Sequence, residues 1–130
     1  MSKSVEPNPP LVLIVDDEDL VRSVLVRSLA REGYGVVPAA GRREAVDLMA
    51  QHGRPLDLAI IDMHLDGMGG ESLADLLHLR QPELPVLFIT GDMVTERRGE
   101  GPLLTKPFSP DTFARCVHEY LKTGCLQDRA

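Results

Sequence analysis

The chain has 130 residues, 43% of them apolar, and a net charge of -6, which is the size of one domain with a single buried core. Its Lys and Arg are scattered, and with two Tyr, three Phe and no Trp it offers neither a phosphate-tracking stripe nor a base-stacking platform, which argues against nucleic acid as a partner. No apolar run approaches a membrane span, no secretory signal is visible, and Cys116 and Cys125 lack C-x-x-C spacing; the expectation is a cytoplasmic protein with reduced thiols and no membrane association.

Residues 1–10 carry three prolines and almost no apolar surface, so a loose tail or linker is expected there. Residues 11–15, L-V-L-I-V, have the aliphatic character of a strand buried on both faces, and they open onto Asp16 and Asp17. Residues 18–32 predict a helix, with Leu20, Val21, Val24, Leu25 and Leu29 at helical spacing and acids in the first turn, where the helix dipole favours them. Gly33 stops it. Residues 35–40 predict a second strand, and 42–51 a second helix with Ala45, Val46, Leu48 and Met49 on one side and Gly53 beyond its end.

Residues 58–61 are a third buried strand, bounded upstream by Pro55 and ended by Asp62. A carboxylate at that point lies at the carboxyl edge of a parallel sheet, where open α/β sheets bind ligands. Residues 71–80 predict a third helix using Leu73, Leu76 and Leu77. Pro82 and Pro85 then bracket the entry to a fourth strand, 86–90, which ends in Thr90-Gly91-Asp92. A brief strand at 103–105 leads into Lys106-Pro107-Phe108. Ser109-Pro110-Asp111 is a helix start, with a capping hydroxyl, proline at the first helical position and an acid in the first turn. The last helix buries Phe113, Val117, Tyr120 and Leu121 and ends near Gly124. One domain over 11–124, flanked by tails at 1–10 and 125–130, is the organisation expected.

Strands alternating with helices imply right-handed crossovers and a five-stranded parallel sheet covered on both faces. The ends of the first, third, fourth and fifth strands then meet at one edge, bringing Asp16, Asp17, Asp62, Thr90 and Lys106 together. Three converging carboxylates repel one another without a cation, and an all-oxygen set suits a hard ion such as Mg²⁺. His52, His64, His78 and His118 show no ligand spacing, so a transition metal is not expected. A carboxylate beside such a cation can attack a phosphoryl group, with an ammonium and a hydroxyl available to the phosphoryl oxygens.

In these features the chain resembles the receiver domains of two-component response regulators over 11–122. The resemblance rests on Asp16-Asp17 after the first strand, Asp62 after the third, Thr90-Gly91 after the fourth and Lys106-Pro107-Phe108 after the fifth. It implies a flavodoxin-like, doubly wound α/β fold with strand order 2-1-3-4-5. It further implies that Asp62 accepts phosphate from a phosphohistidine on a sensor histidine kinase or histidine phosphotransfer protein, and that the domain then switches conformation to alter binding of a downstream protein. Asp17, Asp62 and the backbone carbonyl of His64 would ligate Mg²⁺, with Asp16 acting through a metal-bound water. Thr90 would move toward the phosphate, Lys106 would pair with it, and the Lys106-Pro107 bond would be cis. A monomer or weak dimer is expected, with no turnover beyond self-phosphorylation and slow self-dephosphorylation.

Several residues depart from the family pattern. Only fifteen residues separate Thr90 from Lys106, and 93–101 lack an apolar stripe, so the family's fourth helix is expected to be short or missing. Leu103 stands where many receivers keep a Tyr or Phe, which removes the aromatic switch. Readout is therefore expected through the loops around Asp62 and Thr90 or through the first helix. The thinned fourth region also resembles receivers attached to hybrid histidine kinases. Asp66 replaces a common proline, and His64 and Asp92 border the path of the hydrolytic water as candidates for tuning the phosphorylated lifetime.

Three alternatives compete. A degenerate receiver could act as an interaction module without phosphate, as the missing aromatic and short fourth helix would permit. An aspartate-nucleophile phosphatase of the haloacid dehalogenase type needs D-x-D at its first strand, whereas Asp16 and Asp17 are adjacent. A flavin protein on the same fold needs a phosphate-cradling loop where Asp16-Asp17-Glu18 is acidic.

Overall fold

The computed structural model describes residues 9–65, 68–90, 103–105 and 108–123. In chain order these form β1 (Leu11–Val15), α1 (Asp19–Arg31), β2 (Gly35–Ala39), α2 (Arg42–Gln51), β3 (Leu58–Asp62), β4 (His64–Leu65), β5 (Met68–Gly69), α3 (Gly70–Arg80), β6 (Val86–Thr90), β7 (Leu103–Thr105) and α4 (Pro110–Thr123). The main sheet is parallel, in the order β2-β1-β3-β6-β7, which is the 2-1-3-4-5 order expected once the short β4–β5 pair is set aside. β1, β3 and β6 are buried along their whole length, as their continuous aliphatic runs require.

The period of two along each strand divides the core into two layers. Leu11, Leu13, Val15, Ala59, Ile61, Val86 and Phe88 pack with Ala45 of α2 and with Leu73, Ala74 and Leu77 of α3. Val12, Ile14, Leu58, Ile60, Leu87 and Ile89 pack with Leu25 and Leu29 of α1 and with Phe113, Val117 and Tyr120 of α4. Helices therefore cover both faces, α2 and α3 on one and α1 and α4 on the other. Phe108 stacks on Phe113 with ring centroids 5.7 Å apart, anchoring the start of α4 to the second layer.

Two polar clamps close the edge of the sheet where the strands begin. Leu11 N donates to Asp57 Oδ2 at 2.8 Å while Asp57 N donates to Leu11 O at 2.8 Å. Gln81 does the same for Leu56 with its side chain: Nε2 donates to Leu56 O at 2.6 Å and Oε1 accepts from Leu56 N at 3.1 Å. A side-chain amide thus stands in for a strand neighbour at the end of α3.

The elements differ from expectation in four places. Leu20 and Val24 are exposed, at 82% and 47%, whereas Leu25 and Leu29 are buried as expected and are joined on the inner face by Ser28, which was not. The buried face is rotated toward Ser28, whose hydroxyl donates to Pro110 O at 3.1 Å and joins α1 to the first turn of α4. Leu76, expected inside, is 40% exposed, and Ala74 takes the inner place. β3 runs on through Asp62. The antiparallel pair β4–β5 that follows, with His64 opposite Gly69 and Leu65 opposite Met68, was not expected. The fourth-helix region at 93–101, Asp66, the tail at 125–130 and the first eight residues lie outside the described residues.

Candidate functional site

Strand register builds the site. Val15 lies opposite Ile61, so one step beyond β1 carries Asp16 level with Asp62, the last residue of β3. Asp62 in turn lies opposite Ile89, which sets Thr90 one residue further at the end of β6. Asp16 and Thr90 are fully buried, Asp62 nearly so at 6% exposure, and Asp17 is exposed. One carboxylate oxygen from each of Asp16, Asp17 and Asp62 can be chosen so that all three lie within 4.8 Å of one another. Thr105 pairs with Thr90 across β6 and β7; Lys106 and Pro107, which follow Thr105, lie outside the described residues, as do Gly91 and Asp92.

Local hydrogen bonds aim the two buried acids. Asp16 Oδ1 accepts from Glu18 N at 2.8 Å, and Asp62 Oδ1 accepts from His64 N at 3.1 Å. Both are turns in which an aspartate binds the backbone two residues on, and each orients a carboxylate at a strand end. The strand ends themselves are held by Asp16 N donating to Ala39 O at 3.2 Å and Met63 N to Ile89 O at 2.8 Å. The side chain of His64 is exposed.

Several residues that shape this edge were not singled out in the sequence. A Cβ on Gly70 would sit 2.4 Å from Asp62 O and 2.8 Å from Ile61 Cγ2, so only glycine lets α3 begin this close to the acid-bearing strand. Gly70 N donates to Met63 O at 2.7 Å. Arg42, the first residue of α2, donates through Nη2 to Ser72 Oγ at 3.0 Å, and that hydroxyl donates to Gly69 O at 2.9 Å. Arg22 reaches back from α1 to Asp16 O at 2.7 Å. The adjacent glycines 69 and 70 were a visible signal; the arginine contacts carried none. Away from the site, burial pushes the Cys116 thiol up, reinforced by Glu119 and opposed by Arg115, and burial with Glu32 raises the Tyr34 phenol.

Three oxygen donors of like charge form a set that a hard divalent cation fits, since it removes their repulsion and accepts carboxylate ligands. A family model described as the response regulator receiver domain matches residues 12–118. This chain belongs to that family.

Among curated relatives of this receiver, the response regulator MprA of Mycolicibacterium vanbaalenii is 37% identical over 128 residues, covering 94% of the chain and 54% of the relative. Sporulation initiation phosphotransferase F of Bacillus subtilis is 32% identical over 116 residues, covering 85% of the chain and 92% of the relative. The CheY-like receiver structure from Methanospirillum hungatei superposes with a TM-score of 0.78 at 26% identity, covering 88% of this chain and 95% of that one. The receiver spans anything from 12% to 92% of the length of its curated relatives, about half in the case of MprA. Its fold is the doubly wound, flavodoxin-like one, and its function is that of a phosphoacceptor receiver in two-component signalling. Among the described residues no helix is long and apolar enough to cross a membrane.

Proposed function

We propose that Asp62 is the phosphoacceptor of this receiver, in a reaction that requires Mg²⁺ held by Asp17, Asp62 and the backbone carbonyl of His64, with Asp16 bound through water. The observation that carries this reading is the meeting of Asp16, Asp17 and Asp62 within 4.8 Å at the carboxyl edge of the sheet, beside a buried Thr90. Asp62 ends a strand and accepts one backbone hydrogen bond, so its carboxylate is held in place before a donor arrives. A cation held by these residues would supply neutralising charge for the incoming phosphoryl group. An Asp62 oxygen forms a bond to phosphorus as the N–P bond of a phosphohistidine breaks; the N–P electron pair stays on the released ring nitrogen, and the donor leaves as a neutral imidazole whose other nitrogen carries the proton. Thr90 donates its hydroxyl to a phosphoryl oxygen absent before transfer, and Lys106 pairs with the new charge.

The donor is a sensor histidine kinase or a histidine phosphotransfer protein. Phosphorylation biases two conformations and changes affinity for a downstream protein, with readout through the loops around Asp62 and Thr90 or through α1. The domain turns over no exogenous substrate and works in the cytoplasm as a monomer or weak dimer. His64 and Asp92 tune the lifetime of the aspartyl phosphate.

Intact mass after incubation with Mg²⁺ and acetyl phosphate tests the acceptor. The expected result is a gain of one phosphate in the native sequence and none in Asp62→Asn. Equal gain in both proteins would overturn the assignment. Refusal by the native chain of both acetyl phosphate and a histidine-phosphorylated partner would favour the phosphate-independent interaction module.

A further inference from the structure

We infer that Arg22 is a positioning residue for cation binding, holding the acidic β1–α1 connection in the shape that lets Asp17 join Asp16 and Asp62. The inference rests on the Mg²⁺-dependent reading above and adds a residue to it. Arg22 lies in the first turns of α1 with its side chain only 20% exposed. Nη1 donates to the backbone oxygen of Asp16 at 2.7 Å, Nη2 donates to Asp19 Oδ1 at 2.6 Å, and the backbone N donates to Glu18 O at 2.9 Å. One side chain thus grips the connection on both sides of Asp17.

The physical need for such a grip follows from where the three acids stand. Asp62 belongs to a buried strand and Asp16 is buried directly after one, so the sheet places both. Asp17 is exposed, beyond the last residue of β1 and before the first of α1. Its direction depends on the plane of the Asp16–Asp17 peptide, and the carbonyl of that peptide is the group Arg22 holds. A guanidinium offers its donors in a rigid planar fork, so using two of them at once fixes this plane relative to α1 more firmly than a single flexible donor would.

Charge alone predicts the opposite result, which makes the inference decidable. A cationic side chain near a divalent-cation site repels the ion, so its removal would tighten binding if Coulomb forces were all that mattered. If orientation of the acids matters more, its removal weakens binding. Loss of an outer partner that orients a metal ligand typically costs about tenfold or more in metal affinity.

Calorimetric titration of Mg²⁺ into the full chain at moderate salt, which screens the exposed charges, separates these cases. Arg22→Ala is expected to raise the Mg²⁺ Kd about tenfold. Arg22→Lys, which keeps the charge but gathers its donors on a single nitrogen and loses the fork, is expected to fall between Arg22→Ala and the native chain, and decides the matter if the alanine variant does not fold. Phosphorylation by acetyl phosphate should slow in both variants at limiting Mg²⁺ and recover as Mg²⁺ saturates. Unchanged or tighter Mg²⁺ binding in either folded variant would overturn the inference, and a lowered melting temperature with an unaltered Kd would reduce Arg22 to a stability role. A native chain that takes up no Mg²⁺ would overturn the cation reading itself, an outcome distinct from native binding that the variants share.

Discussion

Gly70 shows how a single absent methyl group sets the spacing of the site. A Cβ there would meet the backbone oxygen of Asp62 and the Ile61 side chain, and the first of these belongs to a hydrogen-bonded strand that cannot move without disturbing the acid. Gly70→Ala is expected to cost about 1–3 kcal/mol, the usual range for overpacking, read as a lower denaturation midpoint. It should also slow phosphorylation by acetyl phosphate, because α3 can relieve the clash only by shifting away from β3. His64 acts differently, since its backbone N–H, not its side chain, holds Asp62. His64→Ala should keep that backbone hydrogen bond while changing the lifetime of the phosphorylated state. An unaltered dephosphorylation rate would remove His64 from the lifetime-tuning role.

At the scale of elements, the end of α3 and the start of β3 are joined by one side chain. Gln81 satisfies both the N–H and the C=O of Leu56, and Leu56 is itself buried at 4% exposure. Gln81→Ala removes both bonds at once. An open groove lined by Gln81, Leu56 and Arg80 admits water to the deserted groups, so the expected loss is about 1–3 kcal/mol rather than the full penalty for two buried orphans. Chemical denaturation measures it, and Gln81→Glu should recover less than half, because a carboxylate can accept from Leu56 N but cannot donate to Leu56 O. The helix α1 carries a related lesson: Leu20 and Val24 share helical spacing with Leu25 and Leu29, yet only the latter pair is buried. Its inner face also holds Ser28, which meets the first turn of α4, a contact between residues far apart in the chain.

At the scale of the whole molecule, the cost of gathering three carboxylates at one edge should appear in stability. Mg²⁺ that binds the folded state and not the unfolded one stabilises it by RT ln(1 + [L]/Kd), about 2.7 kcal/mol at a hundred times Kd. For a domain of this size that corresponds to a rise in melting temperature of roughly 10 °C. Asp62→Asn should raise the metal-free melting temperature, by relieving repulsion, and shrink the Mg²⁺-dependent rise. Thermal melts of both proteins with and without Mg²⁺ check the two signs together, and a native melting temperature indifferent to Mg²⁺ would argue against the cation site.

Strand identity, chain order and the two-layer division were legible in the sequence because they depend on local and periodic properties: aliphatic runs for β1, β3 and β6, helical spacing in α2 and α4, and prolines and glycines at their borders. The residues 42–51, 86–90 and 103–105 match α2, β6 and β7 as observed. The acids of the site were legible for the same reason, since each stands at the end of a run, and parallel pairing brings run ends together whatever the loops do. The inward face of α1 and the clearance at Gly70 were decided by the tertiary structure, because they depend on the distance between elements that the packed core brings together, and no periodicity along one segment records how closely another approaches it. The β4–β5 pair and the grip of Arg22 on Asp16 join residues at most six apart, but they depend on turn geometry that hydrophobic periodicity does not record.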